Sequence, residues 1–177
     1  MRAAVLAVLA VLGLGGCVAS SVAGSPVTSS GLPPVETINF DPCAVSDTVV
    51  AQLGLEPSTK KQYGEQLKQQ GAERGCRWTN TVRNFTVGLD VGRSTRVVQE
   101  YADNPTFQEK LRTTIRSRDT LRFTTGKSPI NCSLAVQVPG GVVVFTAGTS
   151  SVAVNVDPPA ACPEVERLAA GIEPLLP

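Results

Sequence analysis

The stretch Asn131–Ala147, NCSLAVQVPGGVVVFTA, carries the clearest structural pattern in this chain. Its first half alternates apolar with smaller or polar residues, and the apolar positions are Cys132, Leu134, Val136 and Val138. A period of two is typical of a β-strand with one buried face. Pro139-Gly140-Gly141 then marks a turn, and residues 142–147 are apolar on both faces of the next strand. The stretch therefore predicts a hairpin within an antiparallel meander.

Helices are predicted near both ends of this sheet. Asp41-Pro42 is a good helix start, because Asp caps a helix and Pro suits its first position. Val45, Val49 and Leu53 then share one helical face, and Gly54 provides a stop. The closing helix has an apolar stripe at spacing i, i+3, i+4, i+7, formed by Val165, Leu168, Ala169 and Ile172. Such a stripe is expected to lie on the sheet.

The remaining segments predict more strands and one short middle helix. The polar stretch 56–73 is interpreted as a loop or a weak helix. The middle helix is expected to end at Asn104-Pro105. After it, Phe107 and Leu111 suggest one or two further helical turns. The final strand is expected at Val152, Val154 and Val156. We therefore predict an α+β fold: an antiparallel sheet of about five or six strands, with N- and C-terminal helices packed on one face and two disulfides.

The N-terminus divides the chain into three parts. Residues 1–16 carry one charge, Arg2, and an apolar run too short for a stable transmembrane helix. The run ends in Leu14-Gly15-Gly16-Cys17, which resembles a bacterial lipobox, in which the cysteine is acylated after cleavage. Residues 17–37 then form a linker rich in Ser, Thr, Gly and Pro, and residues 38–177 form a single globular domain.

Composition excludes several functional classes. The chain contains no histidine, which removes Ser-His-Asp and Cys-His catalysis and His-bearing zinc sites. Its 16 Lys and Arg nearly balance its 15 Asp and Glu. A neutral protein lacks the basic surface that a nucleic-acid partner requires, so we expect no nucleic acid.

With Cys17 assigned to lipid, four cysteines remain: Cys43, Cys76, Cys132 and Cys162. An even number in an oxidising compartment indicates two disulfides. The pairing Cys43–Cys76 and Cys132–Cys162 would attach each helix start to a strand, although four cysteines allow three connectivities. A four-thiolate metal site is the alternative, but it lacks the usual CxxC spacing.

A basic stretch and a few carboxylates are the remaining candidate functional residues. The basic stretch has a local excess of positive charge and consists of Lys110, Arg112, Arg116, Arg118, Arg122 and Lys127. It reads either as the solvated face of strands or as a patch for anionic headgroups or an acidic polymer. Asp90 with Glu100 or Asp103 is the only carboxylate pairing near a possible cleft, for glycoside chemistry.

Several residues together resemble a known family. Asp41-Pro42-Cys43, Gly75-Cys76-Arg77-Trp78, Cys132 before an alternating strand, and Cys162 at the start of a terminal helix occur in this order. With the lipobox, they resemble the actinobacterial, mycobacterial-type lipoproteins that carry domain of unknown function 3558. The resemblance implies an envelope lipoprotein with paired cysteines and implies no activity.

The sequence therefore predicts a lipoprotein anchored on the extracytoplasmic face of the cell membrane through diacylglyceryl and acyl chains such as palmitate on Cys17. We expect a non-catalytic binding module for an envelope protein, lipid or anionic polymer, with no cofactor and no metal. The alternative is a structural or accessory subunit of an envelope assembly. A carboxylate-based hydrolase is the enzymatic alternative.

Overall fold

The computed structural model describes residues 38–62, 74–82, 85–125, 130–151 and 160–177. Cys17, the predicted signal segment, the linker and the predicted last strand at Val152, Val154 and Val156 lie outside these ranges. None of the helices in the described part of the chain is long and apolar enough to span a bilayer.

An antiparallel sheet forms the centre of the fold. Its seven strands are β1 Glu56–Gln62, β2 Arg74–Val82, β3 Phe85–Ser94, β4 Phe107–Ile115, β5 Arg118–Thr125, β6 Asn131–Val138 and β7 Gly141–Ser151. They lie side by side in the order β1-β2-β3-β7-β6-β5-β4. The chain thus builds β1 to β3 as one meander, crosses to the far edge, and returns through β4 to β7 until β7 pairs with β3. The predicted hairpin is the β6–β7 pair, and the prediction of five or six strands was too low.

In the described part of the chain, three α-helices accompany the sheet: α1 Asp47–Gln52, α2 Val98–Asp103 and α3 Ala161–Ile172. The opening segment is not one continuous helix. A short 3-10 helix, Pro42–Ala44, is capped by the side chain of Asp41, and Ser46 then caps α1 separately. Gly54 follows α1 with a positive φ of 76°, which suits a residue without Cβ.

Each face of the sheet has its own hydrophobic core. On one face, Val50 of α1 and the predicted stripe of α3 pack in the same cluster as Trp78, Leu134 and Phe145. On the opposite face, Val98 and Tyr101 of α2 pack against Leu121, Phe123, Val142 and Val144. Because β7 is covered on both faces, its apolar residues occur at successive positions, as the sequence indicated.

Two segments differ from their sequence interpretation. Residues 56–62, interpreted as loop or weak helix, form β1, a largely exposed edge strand that pairs only with β2. Residues 107–115, interpreted as starting with a helical turn, form β4. The i, i+4 spacing of Phe107 and Leu111 resembles a helical pattern, but both residues lie in a strand. A bulge with a positive φ at Glu109 interrupts the alternation of side chains along this strand.

The structure contains the disulfides Cys43–Cys76 and Cys132–Cys162. The first joins the 3-10 helix to β2, and the second joins the first turn of α3 to β6. This is the sequential pairing among the three possible ones. It also removes the thiolates that a four-cysteine metal site would need.

Candidate functional site

The basic stretch of the sequence is held by other parts of the chain. Glu173 is buried and pairs with Arg116 at 2.9 Å and with Arg118 at 2.9 Å. Arg118 also donates to the carbonyl oxygens of Leu176 and Pro177 at 3.2 and 2.8 Å. These two arginines therefore bind the C-terminal segment to the start of β5 and to the turn that precedes it.

The other described members of this stretch also have partners within the chain. Arg112 pairs with Asp119 at 2.7 Å, and Arg122 pairs with Glu166 of α3 at 3.1 Å. Lys110 donates to two backbone carbonyl oxygens at the C-terminal end of α2, at 2.7 and 3.1 Å. Lys127 lies outside the described residues.

The described members therefore do not form one free cationic surface. Arg122 lies beside α3 and Arg112 beside α2, which places them on opposite faces of the sheet. Alternate residues of a strand point to opposite faces, so the described members fit the reading of this stretch as solvated faces of strands, and a partner-binding patch stays a prediction.

The three candidate carboxylates also have structural partners. Glu100 accepts a hydrogen bond from the backbone N–H of Val97 at 3.2 Å and so caps α2. Asp103 accepts one from the side chain of Gln99 at 2.8 Å. Asp90 forms two hydrogen bonds with Arg77, at 2.6 and 2.9 Å.

The Arg77–Asp90 pair lies on the α2 side of the sheet, because its neighbours Trp78 and Leu89 point to the α3 side. The Asp90 side chain is only 3% exposed. Burial raises the pKa of the Asp90 carboxyl, and the charge and hydrogen bonds of Arg77 oppose this rise. The pair is a structural ion pair with a buried carboxylate. It joins β2 to β3, the strand next to the centre of the sheet.

A cleft with several cationic residues lies on the α3 side of the sheet, opposite the Arg77–Asp90 pair. We call it the cationic cleft: it has a volume of about 340 Å³ and lies beside the Cys43–Cys76 disulfide. Its lining is formed by Asp41, Cys43, Lys60, Gln62, Arg74, Gly75, Cys76 and Arg93. Three cations thus converge where the N-terminal segment meets the ends of β1, β2 and β3. Sequence reasoning did not single out these three cations.

The strand register determines how close the cations are. Arg74 of β2 is the direct cross-strand partner of Arg93 of β3, so both side chains project from the same face. Lys60 reaches the cleft from β1 and donates to the carbonyl oxygen of Cys43. Arg93 donates from one nitrogen to the carbonyl oxygens of Ile38 and Phe40, at 3.0 and 3.1 Å.

The positive charge of the cationic cleft is not balanced within the lining. Asp41 is the single carboxylate among its described lining residues, and this side chain accepts a hydrogen bond from the Cys43 N–H at 2.9 Å. Among the described residues, no carboxylate forms an ion pair with Lys60, Arg74 or Arg93. The cleft is therefore a site suited to an anion.

A second cleft, of about 300 Å³, lies between α1 and α3 and is internally neutralised. Arg167 pairs with Glu164 at 2.6 Å and also donates to the carbonyl oxygen of Leu53 at 3.0 Å. The pKa of Arg167 is raised by its hydrogen bond to Glu164. Because Glu164 neutralises the charge of Arg167, the second cleft attracts a charged ligand less strongly than the cationic cleft does.

The described residues were also compared with the side-chain groups that hold metal ions. No group of three or more His, Cys, Asp or Glu side chains suited to a metal ion occurs there.

Comparison with known protein families identifies a match over most of the chain. The family described as "Protein of unknown function (DUF3558)" matches residues 12–175, nearly the entire chain. No curated protein and no solved structure matches the chain. Because the match covers most of its length, the chain belongs to the DUF3558 family.

Proposed function

We propose that this protein is an extracytoplasmic lipoprotein, anchored in the cell membrane by acyl chains on Cys17, whose domain binds an envelope ligand without catalysing a reaction. The sequence Leu14-Gly15-Gly16-Cys17 supports the anchor. The two disulfides support an extracytoplasmic location, because disulfides persist in oxidising compartments. Two or three acyl chains hold a protein firmly in a bilayer.

The observation that carries the binding role is the cationic cleft. Its volume of about 340 Å³ falls within the range of small-molecule sites, and its described lining residues include three cations and one carboxylate. A charge excess in a cleft costs free energy in the empty protein, because the cations repel one another. The simplest reason for such a charge excess is a function in which the cleft binds a ligand.

The residues of the cleft favour binding over hydrolysis. Glycoside hydrolysis requires two carboxyl groups that flank the substrate bond, and the candidates Asp90, Glu100 and Asp103 are engaged in a buried ion pair, a helix cap and a hydrogen bond within α2. Among the described residues that line the cleft, Asp41 is the one carboxylate, and it accepts a hydrogen bond from a backbone N–H. The hydrolase and the accessory subunit stay as alternative hypotheses.

The anchor is tested by Cys17→Ser, with Val18→Ser as the matched control. We expect the Cys17→Ser protein to lose acylation and to leave the membrane fraction, whereas the control stays acylated and membrane-bound. The measurement is the mass of the intact protein together with its distribution between membrane and soluble fractions. A Cys17→Ser protein that stays in the membrane fraction with acyl chains attached would contradict the anchor.

The binding role is tested by native mass spectrometry of the protein isolated from its own envelope. We expect a discrete non-covalent added mass that denaturation removes, and a smaller occupancy in Arg74→Gln than in Lys61→Gln. Lys61 precedes Gln62 on β1 but is not part of the cleft lining, so it is a matched loss of one charge. An equal occupancy in both variants would argue against the cationic cleft as the binding site.

A further inference from the structure

We propose that the cationic cleft binds a phosphate monoester group or inorganic phosphate, which it holds between Lys60, Arg74 and Arg93. This inference rests on the proposed binding function and names the chemical class of its ligand. A free phosphate and the phosphate headgroup of a lipid share this chemistry, and the experiment below distinguishes these sources.

The first argument comes from the strand register. Arg74 and Arg93 are directly opposite in the antiparallel β2–β3 pair, where side chains start about 5 Å apart. Like charges at such positions destabilise a sheet. An anion between the two guanidinium groups would convert this repulsion into two attractive contacts. The side chain of Arg74 is exposed, makes no ion pair with a described residue, and is thus available for such a contact.

The second argument is that the chain already holds two of the three cations in place. Arg93 is fixed by the carbonyl oxygens of Ile38 and Phe40, and Lys60 by that of Cys43. These contacts use one guanidinium nitrogen and one ammonium N–H, and each group has further donors. The acceptors are neutral carbonyl oxygens, so the positive charges are positioned but not neutralised. Little side-chain entropy then remains to be lost on binding.

The third argument is the match of charge. The described lining residues include three cations and one carboxylate, so their net charge is 3 − 1 = +2. A phosphate monoester carries about −1.5 to −2 at neutral pH, whereas a carboxylate carries only one negative charge. The planar guanidinium fork also matches phosphate oxygens in a bidentate manner. Phosphate therefore neutralises the cleft more completely than a carboxylate does.

The position of the cleft in the chain suggests where this phosphate lies. Asp41 and Cys43 line the cleft, and Ile38 and Phe40 hold Arg93, so the site lies at the start of the described domain. If Cys17 is the anchor, the sequence-predicted linker of about 20 residues has a root-mean-square span on the order of 25 Å as a flexible coil, so this end of the domain can approach the bilayer. Lipid headgroups are then within reach.

The experiment uses the full chain in nonionic detergent, with Trp78 fluorescence reporting the unfolding temperature. Sodium phosphate and sodium acetate are titrated separately at constant ionic strength, and calorimetry gives the Kd for phosphate. For the wild type we expect a saturable rise in the unfolding temperature with phosphate. Arg74→Gln should weaken the Kd by about tenfold or more, as expected for the loss of a charged hydrogen bond. The Kd of Lys61→Gln for phosphate should stay within about twofold of the wild-type value. Lys60→Gln provides a second variant of the cleft.

The outcomes separate the two levels of the proposal. If acetate stabilises the protein through Arg74 and phosphate does not, the phosphate assignment is wrong and the binding function stands. If neither anion acts through Arg74, the cleft is not a binding site and both proposals fail. If Arg74→Gln and Lys61→Gln weaken phosphate binding equally, the effect is diffuse surface charge, which also overturns the proposed site.

The source of the phosphate is decided by a further titration with detergent micelles that contain phosphatidic acid. A Kd at least about tenfold tighter than that of inorganic phosphate, and lost in Arg74→Gln, assigns a lipid headgroup. An equal Kd for both probes assigns a free phosphate. Either result supports the phosphate site.

Discussion

Removing either disulfide should cost nearly the same stability, but only one removal should affect the cationic cleft. The two double variants are Cys43→Ala with Cys76→Ala, and Cys132→Ala with Cys162→Ala. The closed loops have sequence separations of 33 and 30. The loop-entropy relation converts these lengths into about 3.7 and about 3.6 kcal/mol at 25 °C.

The structural consequences of the two removals differ. Cys43 lines the cleft, and its carbonyl oxygen accepts from Lys60, so the first disulfide holds one wall of the cleft against β2. The Cys132–Cys162 disulfide holds the start of α3 on β6, away from the cleft lining. We therefore expect phosphate affinity to fall in the first double variant and to stay near the wild-type value in the second.

The assay is equilibrium unfolding in guanidinium chloride. Trp78 is the single tryptophan of the chain and is fully buried, so its fluorescence reports directly on the core beside β2. The free energy of unfolding is extrapolated to water for the wild type and both double variants. A loss below about 1 kcal/mol in either variant, or a difference above about 2 kcal/mol between them, would refute the loop-entropy reasoning.

Further predictions concern the core, a turn and a buried charge. Leu168→Ala should lower the free energy of unfolding by about 3 kcal/mol, because the residue is fully buried, whereas Leu175→Ala, at an exposed site, should change it by less than about 0.5 kcal/mol in the same denaturant titration. Gly141→Ala should lower the melting temperature, because the φ of 152° is unfavourable for alanine and its Cβ would lie 2.1 Å from a backbone carbonyl oxygen of β3; an unchanged melting temperature would contradict this geometry. Burial raises the folded-state pKa of Asp90 against the influence of Arg77, so the folded state keeps a proton that the unfolded chain releases. Stability should therefore fall as pH rises from about 3.9 through the raised pKa, and Asp90→Asn should remove this part of the slope in urea titrations across that range; identical slopes would count against the raised pKa.

The sequence was informative where local pattern and final environment agree. The hairpin of β6 and β7 could be predicted because its alternation and its Pro-Gly-Gly turn act over a few neighbouring residues. The stripe of α3 could be predicted for the same reason. The even number of cysteines beyond Cys17 predicted two disulfides, and the structure has the sequential pairing among the three possible ones.

The two edge strands could not be predicted, since their conformation depends on a neighbour. β1 has no apolar alternation and is extended because β2 offers it hydrogen bonds. β4 has an i, i+4 apolar spacing that favours a helix, yet it pairs with β5 around a bulge. In both segments, tertiary pairing overrides weak local preference.

The candidate site shows most clearly the difference between what local sequence pattern predicts and what tertiary pairing decides. By itself, the sequence determined the composition-based exclusions, the central hairpin, the closing helix and a plausible set of cysteine pairs, all of which depend on residue type or short spacing. Only the tertiary structure decided that the basic stretch near β5 is held by partners such as Glu173, and that Lys60, Arg74 and Arg93 share a cleft. These three cations come from three strands and meet through sheet register, and register is a relation between distant segments that no local pattern encodes.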